Sequence, residues 1–175
     1  MDAPDLLDAE WKQRDVLRKI GRLYDAIWVY GPPDFYNPLT GLDVPELVSS
    51  KLEYVGFLQR ELNAEEIPGH RPEGDYILVT PGGGGDGAEL IHNVLHAYQQ
   101  DPELTYKAVI VLGPYMPARQ RRKLMKKGMK LASVKIIEFD NQMEDLVAGA
   151  KAVVAMGGYN TYCEILSFDK PALIV

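Results

Sequence analysis

Two glycine-rich turns hold the side chains and backbone groups of this chain best suited to chemistry. The first is TPGGGGDGAEL, residues 80–90. Glycine lets a ligand approach the main chain, and the free N–H groups that open a following helix favour an anion such as a diphosphate. Four adjacent glycines exceed what a tight turn needs, so Gly83, Gly84 and Gly85 are candidate diphosphate contacts. Asp86 is either a polar group beside the ligand or a helix cap. The second turn is MGGYNTYCE, residues 156–164. Gly157 and Gly158 supply the bend, and Asn160 and Thr161 can cap a helix and donate to phosphate oxygens. Glu164 follows one helical turn beyond Thr161. A carboxylate so close to a phosphate site is explained if it accepts hydrogen bonds from the paired hydroxyls of a ribose.

Other chemistries fit less well. Gly82, Gly84 and Gly87 satisfy G-x-G-x-x-G, but a glycine run satisfies many patterns. The acid that a dinucleotide fold places after its second strand is missing from Val111-Leu112-Gly113-Pro114. No Gly-Lys-Ser/Thr follows the loop, which excludes a P-loop. His92 and His96 are spaced i and i+4 without the metalloprotease glutamate, so no metal is expected. Cys163 is the only cysteine, which rules out an intrachain disulfide.

These turns need a scaffold, and the pattern supplies one. From Tyr76 onward, short apolar runs (76–80, 107–113, 134–139, 152–156 and 171–175) alternate with helical patterns at about 87–100, 117–130, 141–149 and 160–168. Such alternation implies an α/β fold: a Rossmann-like parallel sheet with helices on both faces. Right-handed crossovers then put both glycine turns at the edge where ligands of open sheets bind. The chain ends on a strand, so this domain is expected to be truncated at its C-terminal end. Before it come a helix over 6–20, a buried strand over 24–31, a proline-rich stretch, a short helix near 45–51 and a strand near 52–57. Residues 59–75 are polar and rich in Glu, Pro and Gly, which suits a linker.

Composition narrows the class. The 175 residues are 46% hydrophobic and 25% charged, ordinary for a globular protein. The net charge of −6 argues against nucleic acid as the main partner. No apolar run approaches the roughly 20 residues of a membrane span, and the acidic N-terminus is no secretory signal, so a cytoplasmic protein is expected. Residues 119–130, RQRRKLMKKGMK, carry seven cations and no acid. They read as a solvated helix face or as a contact for an anionic membrane surface or acidic acceptor, peripheral at the inner membrane face. Tyr30, Phe35 and Tyr36 read as loop packing or the border of an acceptor cleft.

Together these motifs resemble the C-terminal donor-binding domain of GT-B glycosyltransferases, of the family 28, peptidoglycan GlcNAc transferase-like type. That type has G-G-S-x-G-A where this chain reads Gly83-Gly84-Gly85-Asp86-Gly87-Ala88. It has E-F-I-D-D-M where this chain reads Glu138-Phe139-Asp140-Asn141-Gln142-Met143. It has R-S-G-A-x-T-x-x-E at residues 156–164 and a P-A-L-x-V strand at Pro171–Val175. Gly85 replaces the loop serine and Met156 the arginine, which points away from a peptidoglycan substrate. The resemblance implies a metal-independent hexosyltransferase without cofactor, using a nucleotide diphosphate-sugar, with UDP-sugar the expected donor, and an unidentified acceptor hydroxyl. It implies that Glu164 binds the ribose, that Gly158 and Thr161 lie against the diphosphate, and that Phe139 and Asp140 hold the nucleobase. Residues 1–58 would be the end of the N-terminal acceptor domain, 59–75 the interdomain linker and 76–175 the donor-binding domain. No catalytic residue is identified, and residues 1–175 alone are expected to be inactive. The alternatives are a nucleotide-sugar epimerase of the same fold, a non-catalytic donor-binding subunit and an NAD-dependent oxidoreductase.

Overall fold

The computed structural model describes residues 4–62 and 72–175 and divides into two compact units, 1–58 and 59–175. Most of the stretch read as a linker, residues 63–71, lies outside the described residues. Among those described, no helix is long and apolar enough to cross a membrane.

The first unit holds α1 (Pro4–Arg14), α2 (Val16–Leu23), β1 (Ile27–Tyr30), α3 (Glu46–Ser49) and β2 (Leu52–Gly56). The helix expected over 6–20 is therefore two helices. Asp15 stands between them with φ 53°, a left-handed conformation that the short Asp side chain tolerates better than most. The strands β1 and β2 pair in parallel, Ile27 opposite Leu52, with α3 on the connection between them. The buried strand expected over 24–31 is confined to Ile27–Tyr30. Its burial alternates, and Trp28 remains 63% exposed. Lys51 Nζ ties the helical layer to the strands by donating to the carbonyls of Gly21 and Tyr24 at 2.6 and 2.7 Å.

The second unit follows the sequence pattern closely. Its elements are β3 (Tyr76–Thr80), α4 (Ala88–Gln100), β4 (Lys107–Val111), α5 (Ala118–Gly128), β5 (Val134–Ile137), α6 (Met143–Gly149), β6 (Ala152–Ala155), α7 (Tyr159–Ser167) and β7 (Ala172–Ile174). The five strands are all parallel, in the order β5-β4-β3-β6-β7. Side chains on a strand alternate faces, so the apolar runs split into two cores. Leu78, Val109 and Val111 pack with Leu146, Val147 and Ile165 of α6 and α7. Val79, Ile110 and Leu112 pack with Ile91, Leu95 and Leu124 of α4 and α5. Each fully buried Leu, Ile or Val contributes about 1.5–3 kcal/mol relative to exposure, which makes this double burial the main support of the unit. Two tyrosines reach through the cores to satisfied positions: Tyr76 Oη donates to the Leu146 carbonyl at 2.7 Å, and Tyr98 Oη to the Tyr106 carbonyl at 2.8 Å. Because α4 and α5 cover one face and α6 and α7 the other, the winding direction reverses between β3 and β6. That reversal opens a crevice at the strand C-termini.

Candidate functional site

A cleft of about 550 Å3 occupies this reversal point, entirely within the second unit. Every strand that borders it contributes from its C-terminal end. Thr80, Gly82 and Gly83 come from β3 and its loop, Gly113 and Pro114 from the loop after β4, Phe139 and Asp140 from the loop after β5. Gly158, Asn160, Thr161 and Glu164 come from the turn after β6 and from α7.

The first glycine turn is built by backbone contacts. Thr80 Oγ1 accepts from the Gly82 N–H at 3.1 Å, and the Tyr115 N–H donates to the Gly83 carbonyl at 2.9 Å. Gly84 and Gly113 interlock. Both have left-handed backbones, φ 85° and 86°. A Cβ on Gly84 would overlap the Leu112 carbonyl oxygen, and one on Gly113 the carbonyls of Gly82 and Gly83. Of the residues expected to hold a diphosphate here, Gly83 lines the cleft, while Gly84 packs against the neighbouring loop and Gly85 does not line the cleft. Asp86 lies instead in a second groove with Leu90, Val94 and Leu173. It is not the cap of α4, because Gly87 occupies that position.

The second turn is arranged differently. Gly157 does not line the cleft, and a Cβ added to it would crowd Ile174 Cγ2 at 3.1 Å. Gly158 does line it and is the N-cap of α7, with no side-chain cap hydrogen bond. Neither Asn160 nor Thr161 is therefore the cap that the sequence suggested. The N–H groups of the first turn of α7 have no intrahelical acceptor and carry the positive end of the helix dipole. Thr161 is 6% exposed at that end. Glu164, one turn on, is 8% exposed and forms part of the cleft wall. Burial pushes its carboxyl up to about 7, the Glu144 carboxylate acts in the same direction, and the Arg60 guanidinium opposes both.

Sequence reasoning missed Arg60, which fell in the stretch read as linker. Its backbone N–H donates to Ser167 Oγ at 2.8 Å and its Nη2 to Asn160 Oδ1 at 3.0 Å, so it spans α7 from end to end. Its Nε is buried without a hydrogen-bond partner among the described residues. Nothing in the local pattern around Gln59-Arg60 announces this role. Met143, at the start of α6, also lines the cleft beside Phe139, which stays 58% exposed. Asp140 Oδ1 accepts from the Gln142 N–H at 2.8 Å, fixing the turn into α6. Of the two histidines at i and i+4, His92 Nε2 lies 3.2 Å from Lys127 Nζ and His96 Nε2 3.4 Å from Gln100 Nε2. Among the described residues no group of three or more His, Cys, Asp or Glu could hold a metal ion.

Fold and cleft together define an open α/β domain with an anion-suited crevice at its topological switch point. Residues 76–175 match the glycosyltransferase family 28 C-terminal domain, and the chain belongs to that family. This agrees with the resemblance read from the motifs. An "Uncharacterized glycosyltransferase" of Methanosarcina acetivorans is 29% identical over 147 residues, covering 81% of this chain and 36% of that protein. Among solved structures, the glycotransferase of kitacinnamycin aligns with TM-score 0.59 at 16% identity, over 98% of this chain and 42% of that one. The calicheamicin glycosyltransferase CalG4 aligns with TM-score 0.54 at 16% identity, over 100% of this chain and 42% of that one. At such identities the likeness establishes the fold, which is that of GT-B glycosyltransferases. The chain spans little more than a third of its curated relative, 36% of that length.

Proposed function

We propose that this chain is the donor-binding part of a glycosyltransferase that moves a sugar from a nucleoside diphosphate-sugar to an acceptor hydroxyl. One observation carries the reading. A single cleft gathers the Gly82–Gly83 backbone, the uncapped N-terminus of α7 with Gly158, Asn160 and Thr161, and the buried Glu164. The diphosphate sits before the first turn of α7, where N–H groups and dipole meet its charge. Glu164 accepts from the vicinal ribose hydroxyls. Phe139 and the backbone at Asp140 flank the nucleobase, and uridine is the base we expect. As the sugar–phosphate bond breaks, negative charge grows on the leaving diphosphate. Preorganised N–H donors and the Arg60 guanidinium near α7 stabilise that charge without a metal.

Isothermal titration with UDP, GDP, ADP and TDP tests this. At least one nucleoside diphosphate should bind, and Glu164→Ala should weaken it about tenfold or more, the worth of one charge-assisted hydrogen-bond pair. Binding of none of the four, or a Glu164→Ala variant that binds as well as the parent, overturns the proposal.

A further inference from the structure

Between Glu103 and Glu138 the chain has no acidic residue but carries nine of its nineteen Lys and Arg. Seven of the nine lie on α5 or just after it. Two of those seven serve the fold. Arg121 reaches the carbonyls of Pro114 and Met116 at 3.3 and 3.2 Å and pairs with Glu138 at 3.2 Å. Lys127 contacts His92. The other five, Arg119, Arg122, Lys123, Lys126 and Lys130, are exposed and have no ion-pair partner among the described residues. Their spacing, three or four residues between successive turns, puts them on one side of the helix, opposite the buried Leu124 and Gly128. Met129 falls in the same register and is 83% exposed.

This arrangement weakens the isolated helix. Like charges at i+3 and i+4 repel, and basic residues without an acid in the first turn oppose the helix dipole. The same chain avoids that conflict on α1, where Asp8–Lys12 and Glu10–Arg14 alternate sign at i+4. We propose that the outer face of α5 docks on an anionic lipid surface, with the Met129 side chain entering the headgroup region. The rest of the chain is strongly acidic, since the net charge is −6 despite this stripe. A flat anionic surface meets the basic face alone, whereas a polyanion that wraps further meets repulsion. An exposed thioether at the end of a basic stripe suits the boundary between headgroups and acyl chains.

Flotation of the full chain with phosphatidylcholine vesicles, with and without phosphatidylglycerol, tests this at low and high salt. Binding should require phosphatidylglycerol and fall at high salt, because screening weakens exposed charge pairs. Each cation near an anionic surface adds about fivefold to partitioning, so the triple variant Arg122→Gln, Lys123→Gln, Lys126→Gln should bind roughly 100-fold more weakly. The charge-matched triple variant Arg14→Gln, Arg18→Gln, Arg22→Gln should bind like the parent. Met129→Asp, at an exposed position, should also lower binding and guards against misfolding of the first variant. Binding to neutral vesicles alone, no binding at all, or equal loss in the two triple variants overturns the proposal. So does single-stranded RNA held as tightly as the vesicles.

Discussion

The two glycine turns look alike in the sequence and are put to different uses in the fold. After β3, the run Gly82–Gly85 divides between cleft and packing: Gly82 and Gly83 border the cleft, while Gly84 lies against the Leu112 carbonyl of the next loop. After β6, Gly158 alone opens α7 to the cleft, and the side chains that follow it, Asn160, Thr161 and Glu164, give that wall its polar character. A glycine run therefore reports close approach of main chains, and only some of that closeness concerns a ligand. The largest effect that would break this comparison is at Gly84. Gly84→Ala combines a left-handed backbone, which costs about 1–2 kcal/mol for an L-residue, with overlap against a backbone oxygen that cannot swing aside. Urea denaturation should show a loss of about 3 kcal/mol or more. A variant as stable as the parent would mean that the two loops do not interlock.

Glu164 marks the other turn, and its ionisation offers the next test. In the folded chain burial and Glu144 hold its carboxyl at about 7, against 4.5 in the absence of structure. The native state thus binds this proton more tightly than the unfolded state. Stability from this group is complete below about pH 4.5 and is lost as pH rises through about 7. The whole swing amounts to about 3 kcal/mol. Glu164→Gln keeps the shape of the protonated form, so it should match the parent near pH 4.5 and exceed it at pH 8 by up to about 3 kcal/mol. Urea melts of both proteins at the two pH values read this directly. An identical difference at both would show that Glu164 titrates as an exposed carboxylate. Nucleotide binding runs the opposite way, because ribose hydroxyls donate to the ionised carboxylate. Affinity should fall more steeply in the parent than in Glu164→Gln as pH drops from 8 to 6. The shared part of the fall comes from protonation of the terminal phosphate, whose second pKa is about 6.

How much of this was legible beforehand follows from the range of the forces involved. The strand Tyr76–Thr80 was readable to the residue, because burial on both faces of a parallel sheet leaves an uninterrupted apolar run. The meeting of Phe139, Thr161 and Glu164 was also legible, since parallel winding sends all strand C-termini to one edge. The division among Gly82, Gly83, Gly84 and Gly85 was not. It depends on where the loop after β4 lies, and that loop is about thirty residues away in sequence. Arg60 was invisible for the same reason: its partners Asn160 and Ser167 stand about a hundred positions further on. The break at Asp15 escaped because the helical periodicity of Leu6, Trp11, Val16 and Ile20 runs straight across it.

The smallest expected effect is at Gly85, and it sharpens the same contrast. The Cβ of a residue there would meet no atom of the described residues within 4 Å, and the backbone is not left-handed. Gly85→Ser should therefore change stability by less than about 0.5 kcal/mol, as exposed substitutions do. It also restores the serine of the G-G-S-x-G-A pattern. If position 85 stands outside the cleft, the added hydroxyl reaches no phosphate, and nucleotide affinity should stay within about twofold of the parent. Calorimetry showing binding fivefold tighter or more would put residue 85 against the diphosphate after all. The whole first turn would then serve the ligand, as the sequence alone suggested, and the distinction from the second turn would narrow to Gly84.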